Sequence, residues 1–124
     1  MATAASPVGP WHDWSAILLL GQGMPESPTV AVYNGLYYLF YHDTAQGQRY
    51  RIGAGPTGPW TEAYAFAPGW AHEVWPGRDG SHYTSFLTNY MVTISRLTWD
   101  AFYSPARPFV GGQVYHLLLP LVMR

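Results

Sequence analysis

Five ionisable side chains stand where strand-like segments begin or end, and these are the residues that could do chemistry. Glu26 opens a β-rich segment, where its carboxyl group could donate a proton in catalysis or only bond the amides of the adjacent loop. His72 and Glu73 open a second β-rich segment, and His72 could contact a ligand or an ion, or bond a backbone carbonyl. His42 and Asp43 end a strand-like run, where they could line a polar site or close a hairpin loop.

The geometry of a strand limits how these groups can combine. Successive side chains on a strand point to opposite faces, so His72 and Glu73 should not face the same ligand. Glu73 is therefore possible as a second catalytic carboxylate but is not favoured. The spacing of the histidines and carboxylates forms no persuasive metal site, and no cofactor is implied.

Aromatic side chains form a second group with possible chemistry, because their flat faces stack on other rings. Trp70 directly precedes the His72 segment and is the best candidate for a ring that stacks on a ligand. Trp11 and Trp60 each end a Gly-Pro-Trp turn, where packing within the turn is the simpler interpretation.

The two Gly-Pro-Trp turns mark a repeat that must position these residues. The segment Ala5–Trp11 recurs as Ala54–Trp60. Asn34-Gly35 and Asp79-Gly80 each separate two strand-like runs, and Asn-Gly is the strongest short hairpin signal. A repeat of about 45 residues with several short strands in each unit is typical of β-propeller blades.

The strand pattern predicts an all-β protein made of β-propeller blades, each with four antiparallel strands. We expect two to two and a half blades in an incomplete propeller. Residues 1–22 would end a preceding blade, residues 23–69 would form the first full blade and residues 70–99 the second. Residues 100–124 would form an irregular C-terminal loop to residue 112 and a possible closing strand from Val114 to Met123.

Two blades leave two large apolar faces without a partner. Known closed propellers have at least about four blades, so this chain cannot close a ring alone. It would either be a piece of a larger protein or associate with copies of itself into a homo-oligomer. The repeat also predicts that Glu26 and Glu73 hold equivalent places in their blades.

Composition excludes several classes of partner. Charged residues make up only 10% of the chain, the net charge is −1, and there is no basic patch, so a nucleic-acid partner is not expected. The chain has no cysteine, which excludes a disulfide framework. The apolar run from Ala16 to Leu20 is too short to span a membrane.

Several segments, in order, resemble five-bladed propeller glycosidases of glycoside hydrolase family 43 and the related family 32. Glu26–Tyr41 resembles the blade that carries the general acid, where Glu-x-Pro precedes a hairpin with Asn/Asp-Gly-x-Tyr-Tyr-Leu. Both Gly-Pro-Trp turns resemble the segments that close blades in that group. Ala71–Val74 resembles the opening of the next blade, and Ile94–Trp99 resembles the last strand. The resemblance spans about residues 3–99.

This resemblance implies a protein that acts on or binds carbohydrate in a central funnel, with Glu26 as the inherited general acid. It also implies an extracellular or periplasmic location. The family's catalytic base and a further aspartate lie on earlier blades, and the segment that resembles the family matches neither of those blades. The chain would therefore be incomplete as an enzyme alone. The predicted sugar-binding residues are Trp70, His72, Glu73, His42 and Asp43.

Two alternatives to the glycosidase interpretation stay open. The chain could be a carbohydrate-binding module that kept the blades and lost the chemistry. It could also be a structural module that completes its ring by self-association.

Overall fold

A computed structural model of the chain describes residues 2–13 and 23–117. Within these ranges the chain is all-β, without a helix, and forms one two-stranded and two four-stranded antiparallel sheets. None of the described residues belongs to a helix that is long and apolar enough to cross a membrane. The strands are β1 (Ala2–Thr3), β2 (His12–Asp13), β3 (Pro25–Tyr33), β4 (Leu36–Asp43), β5 (Gly47–Gly53), β6 (Tyr64–Ala65), β7 (Trp70–Pro76), β8 (His82–Thr88), β9 (Met91–Asp100) and β10 (Arg107–Leu117).

The first four-stranded sheet is a meander with the order β3-β4-β5-β6. Asn34 and Gly35 form its first turn, with φ of 49° and 76°, as a tight two-residue hairpin turn requires. Strand β4 is buried on both faces from Tyr38 to Tyr41, which its continuous apolar sequence predicts. Strand β6 is short, and a bridge between Gly53 and Trp60 adds to the pairing at this edge.

The second four-stranded sheet is also a meander, with the order β7-β8-β9-β10. Strand β10 begins at Arg107, ahead of the closing strand that the sequence predicts from Val114 to Met123, so the irregular segment covers only residues 101–106. Residues 118–123 of that predicted strand, and residues 14–22 of the predicted preceding blade, lie outside the described residues. A register shift between Val110 and Val114 accommodates the Gly111-Gly112 pair. These glycines hide the strand from sequence patterns, because glycine is depleted in strands but common at bulges.

The two four-stranded sheets pack face to face around an aromatic core. Tyr33 of β3 stacks on Trp99 of β9 with ring centroids 4.3 Å apart. The Tyr38 hydroxyl donates a hydrogen bond of 2.8 Å to the Ala106 carbonyl, which fastens the irregular segment to the core. The buried residues of the core are Ala31, Tyr38, Phe40, Tyr50, Ile52, Val74 and Leu97.

The two sheets stack in the same orientation, so opposite faces of the two sheets meet in the core. The positions that face the core in one sheet are therefore not the matching positions of the other. Tyr38 and Tyr83 hold matching register positions, yet Tyr38 lies in the core and Tyr83 stacks on Trp75 outside it. Conversely, Val74 is in the core, whereas its counterpart Val30 is 41% exposed. The four-stranded antiparallel units are confirmed, no described sheet closes on itself, and the propeller stays a prediction.

The two Gly-Pro-Trp turns share a backbone but differ in what their tryptophans contact. In each turn the glycine that precedes Pro-Trp, Gly9 or Gly58, donates its N–H to the carbonyl three residues earlier, at 3.0 and 3.1 Å. Trp60 covers Gly53 so closely that a Cβ there would lie 2.9 Å from the indole. Trp11 is 59% exposed.

Candidate functional site

Glu26 lies at a bulge near the start of β3. It pairs with His42, and the next pair joins Thr29 to Phe40, so three steps along β3 face two steps along β4. Ser27 has a φ of 51° within this bulge, a conformation that a non-glycine residue seldom adopts. Bulges redirect side chains at sheet edges, and this bulge leaves Glu26 exposed at one end of the first sheet.

Trp70 holds the matching place in the second sheet. It pairs with Leu87, and the next pair joins Glu73 to Ser85, so β7 has the same bulge. Ala71 has a φ of 54°, as Ser27 does in β3. The structural counterpart of Glu26 is therefore Trp70 and not Glu73, because the shared backbone, and not the shared residue type, defines the repeat.

The two bulges bring Glu26 and Trp70 together across the sheets. The indole Nε1–H of Trp70 donates a hydrogen bond of 2.7 Å to Glu26 Oε1. The indole is 42% exposed, so part of the ring is accessible. A carboxylate with capacity for further hydrogen bonds thus lies beside an open aromatic surface, and both were candidates from sequence.

His72 lies beneath this pair and is 1% exposed. Its ring stacks on Phe86 with centroids 4.5 Å apart, and Nδ1 lies 3.1 Å from Thr84 Oγ1. Burial lowers the pKa of His72 to about 4; the Pro68 backbone opposes this change, and nearby His42 adds to it. The ring is therefore neutral at pH 7. Within the part of the chain that the structure describes, Nε2 makes no well-formed hydrogen bond, and the predicted contact of His72 with a ligand stays a prediction.

Glu73 faces away from His72, as alternation along a strand predicts. It is exposed and lies on the surface of β7 that is turned from the first sheet, whereas His72 and Val74 face that sheet. Glu73 therefore points away from the first sheet, which carries Glu26.

Asp43 closes the loop between β4 and β5 and also ties down the segment before β3. Its Oδ1 accepts the N–H groups of Ala45 and Gln46 at 2.9 and 3.0 Å, and its Oδ2 accepts that of Gly23 at 3.4 Å. Burial would raise the pKa of Asp43, but these backbone bonds, with a contribution from Arg49, lower it. Asp43 is 1% exposed, so its carboxylate supports the loop beside Glu26 and does not open into the site.

His42 belongs to a polar row that includes a residue sequence patterns did not single out. Glu26, His42 and Gln48 are paired in register across β3, β4 and β5. His42 Nδ1 lies 3.3 Å from Gln48 Oε1, and the buried Gln48 Nε2 has no hydrogen-bond partner among the described residues. Gln48 resembles a polar loop residue in sequence, although its alternation with Tyr50 and Ile52 is a strand signal that could have found it.

The other end of the first sheet has a different chemical character. A shallow pocket of about 370 Å³ lies there, and its lining is largely apolar. None of the described residues that line it has an ionisable side chain. Its lining residues are Leu36, Ile52, Gly53, Ala54, Pro59, Thr61, Ser104 and Pro105.

The part of the chain that the structure describes holds no group of three or more His, Cys, Asp or Glu side chains that could bind a metal ion. No protein-family model matches the chain, and neither does any curated protein or any solved structure. The resemblance to glycoside hydrolase families 43 and 32 therefore depends on the sequence motifs alone and stays a prediction.

Proposed function

We propose that this chain is part of a β-propeller, glycosidase-like protein and binds carbohydrate at the Glu26–Trp70 pair. The hydrogen bond of 2.7 Å between these exposed side chains is the observation that carries the proposal. Carboxylate oxygens accept hydrogen bonds from hydroxyl groups, and an indole offers a flat apolar face with a polar edge. A sugar ring presents both hydroxyl groups and an apolar face, so the pair complements it.

Glu26 is proposed as the residue that would act as the general acid in a complete enzyme. Glycoside cleavage needs a second carboxyl group about 5 to 10 Å away, on the other side of the bond. Neither Asp43 nor Glu73 supplies this second carboxyl group. The oxygens of Asp43 accept backbone N–H groups, and Glu73 lies on the face of β7 that is turned from the first sheet. We therefore propose binding without turnover for this chain alone.

Binding to a panel of neutral polysaccharides, measured by affinity electrophoresis and calorimetry, tests the proposal. Glu26→Gln keeps the shape of the side chain but removes its charge, and it should weaken binding at least about tenfold. Trp70→Ala removes both the indole face and the N–H donor and should weaken binding further. Glu73→Gln is the matched control and should leave affinity unchanged.

The outcomes separate binding from catalysis. Failure to bind any polysaccharide, or equal weakening by Glu26→Gln and Glu73→Gln, would overturn the carbohydrate site. Aryl glycosides should not be hydrolysed by the chain alone. Turnover that is lost in Glu26→Gln would show an active enzyme and contradict binding without turnover.

A second candidate function is assembly through the outer face of the second sheet. Trp75 and Tyr83 stack there with centroids 6.3 Å apart, at the register positions that Ala31 and Tyr38 hold in the core. We expect a sheet from a second copy of the chain to cover this face and form a homo-oligomer.

Solution mass, measured by light scattering, tests the assembly. Trp75→Arg should reduce the mass to that of a single chain, because it removes the apolar indole and places a strongly hydrated charge in the contact. Phe102→Arg is the control, since Phe102 is exposed in the segment 101–106 and lies outside this face. A stable monomer of the unmodified chain would contradict the assembly.

A further inference from the structure

The backbone before Trp70 rests directly on two rings, the buried imidazole of His72 and the half-buried phenyl ring of Phe86. Gly69 has a φ of 121°, and a Cβ at this position would lie 2.5 Å from Phe86 Cδ2 and 3.2 Å from His72 Nε2. Even a methyl group would collide with the phenyl ring. Glycine is therefore required here by the close approach as well as by its backbone conformation.

The two rings under Gly69 are themselves held in place. His72 and Phe86 are stacked with an interplanar angle of 16°, and Phe66 contacts the imidazole edge-on with centroids 5.0 Å apart. Thr84 Oγ1 lies 3.1 Å from His72 Nδ1 and fixes the rotation of the imidazole. The imidazole cannot shift without disturbing Thr84 and Phe86 of the second sheet and Phe66, which follows β6.

We infer that His72 is a positioning residue, which sets the Trp70 indole, and through it the Glu26 carboxylate, by supporting the Gly69 backbone. Gly69 is bonded to Trp70, and the positive φ of Ala71 then turns the strand into its bulge. The support beneath Gly69 thus fixes the direction in which Trp70 leaves the backbone. At that direction its N–H reaches Glu26. A role for this packing in carbohydrate binding rests on the proposed function, but the support of Trp70 by His72 does not.

The signal of the Trp70 indole N–H reports on this arrangement without any ligand. The chain has six tryptophans, so a ¹⁵N-labelled sample should give six indole N–H signals, and Trp70→Phe identifies the one from Trp70. Glu26→Gln weakens the acceptor and should shift this signal, which sets the scale of the measurement.

Two substitutions disturb the support, and each has a matched control. Gly69→Ala should move the Trp70 signal by at least as much as Glu26→Gln does, and leave the other indole signals in place. Gly80→Ala is its control, because Gly80 also has a positive φ, 77°, but no atom lies within 4 Å of its added Cβ. His72→Ala should move the same signal, and His72→Phe, which restores a ring under Gly69, should return it.

A Trp70 signal that stays unchanged in folded Gly69→Ala or His72→Ala would overturn the inference. If His72→Ala does not fold, Gly69→Ala, compared with its control Gly80→Ala, still decides whether the support beneath Gly69 sets the indole. Shifts as expected, in a chain that binds no polysaccharide, would support the positioning role and overturn the carbohydrate site. Binding of polysaccharide without these shifts would support the carbohydrate site and overturn the positioning role.

Discussion

Strands β3 and β7 begin with the same bulge, yet the chain places different residues within it. Two residues after Glu26 comes Pro28, which is exposed, and two residues after Trp70 comes His72, which is buried. The shared backbone sets where a side chain can point, and the neighbouring sheet decides whether that direction is solvent or core. Equivalent residues in the two sheets should therefore differ widely in their contribution to stability.

The largest difference should separate His72 from Pro28. His72→Ala removes a buried ring, its stack on Phe86 and its contact with Thr84, and should lower the free energy of unfolding by about 3 kcal/mol. Pro28→Ala should change it by less than about 1 kcal/mol. Urea unfolding midpoints measure both. Similar losses would show that the sheets are packed alike and would contradict the comparison.

Acid should affect the second sheet through the same histidine. The pKa of His72 is about 4 in the folded chain and near 6.5 when unfolded, so the unfolded state binds more protons between these values. The contribution of His72 to the free energy of unfolding is therefore complete above about pH 6.5. It falls by up to about 3 kcal/mol as the pH drops to 4.

Unfolding curves at a series of pH values should show this loss in the unmodified chain. The loss should be smaller in His72→Phe, which cannot be protonated at that position. Asp43 has a lowered pKa and also loses stabilisation in acid, so the difference between the two proteins is the relevant quantity. If the free energy of unfolding falls with pH by the same amount in both proteins, the loss does not come from His72.

The two Gly-Pro-Trp turns should differ by an intermediate amount. Trp60→Ala uncovers Gly53 and should lower the free energy of unfolding by about 2 kcal/mol. Trp11→Ala, at the matching place in a turn with the same backbone, should change it by no more than about 0.5 kcal/mol. Thermal unfolding of the two variants measures the difference, and equal effects would mean that the indole acts within its own turn.

The smallest difference should separate two matching tyrosines. Tyr38→Phe removes a hydrogen bond to the Ala106 carbonyl inside the core and should cost about 1 kcal/mol. Tyr83 donates its hydroxyl hydrogen to Asp79 Oδ2 at 3.0 Å in an exposed setting, so Tyr83→Phe should cost less than about 0.5 kcal/mol. Denaturant midpoints would again show the order, and a reversed order would contradict it.

Much of the fold could be predicted from sequence, because its signals are local. Asn34-Gly35 specifies a tight turn, and the apolar run around Phe40 specifies a strand buried on both faces. The start of β10 was less predictable, since Pro108 and the pair Gly111-Gly112 are unfavourable in isolated strands and gain their conformation from pairing with β9.

The candidate site was only partly predictable. Glu26 and Trp70 could be identified separately, but their contact joins residues 44 positions apart in the chain, and no local pattern encodes it. Gln48 was overlooked because a glutamine near a turn resembles a loop residue, and only its burial between paired strands shows otherwise.

The sequence by itself determined the class of structure, because strand alternation and turn residues act over a few residues and need no distant partner. It also determined the scarcity of charge and the repeated turns. Only the tertiary structure decided that Trp70, and not Glu73, is the counterpart of Glu26. The reason is physical: Ser27 and Ala71 have no local preference for a positive φ, and each adopts it because pairing and packing of the whole sheet outweigh the local strain.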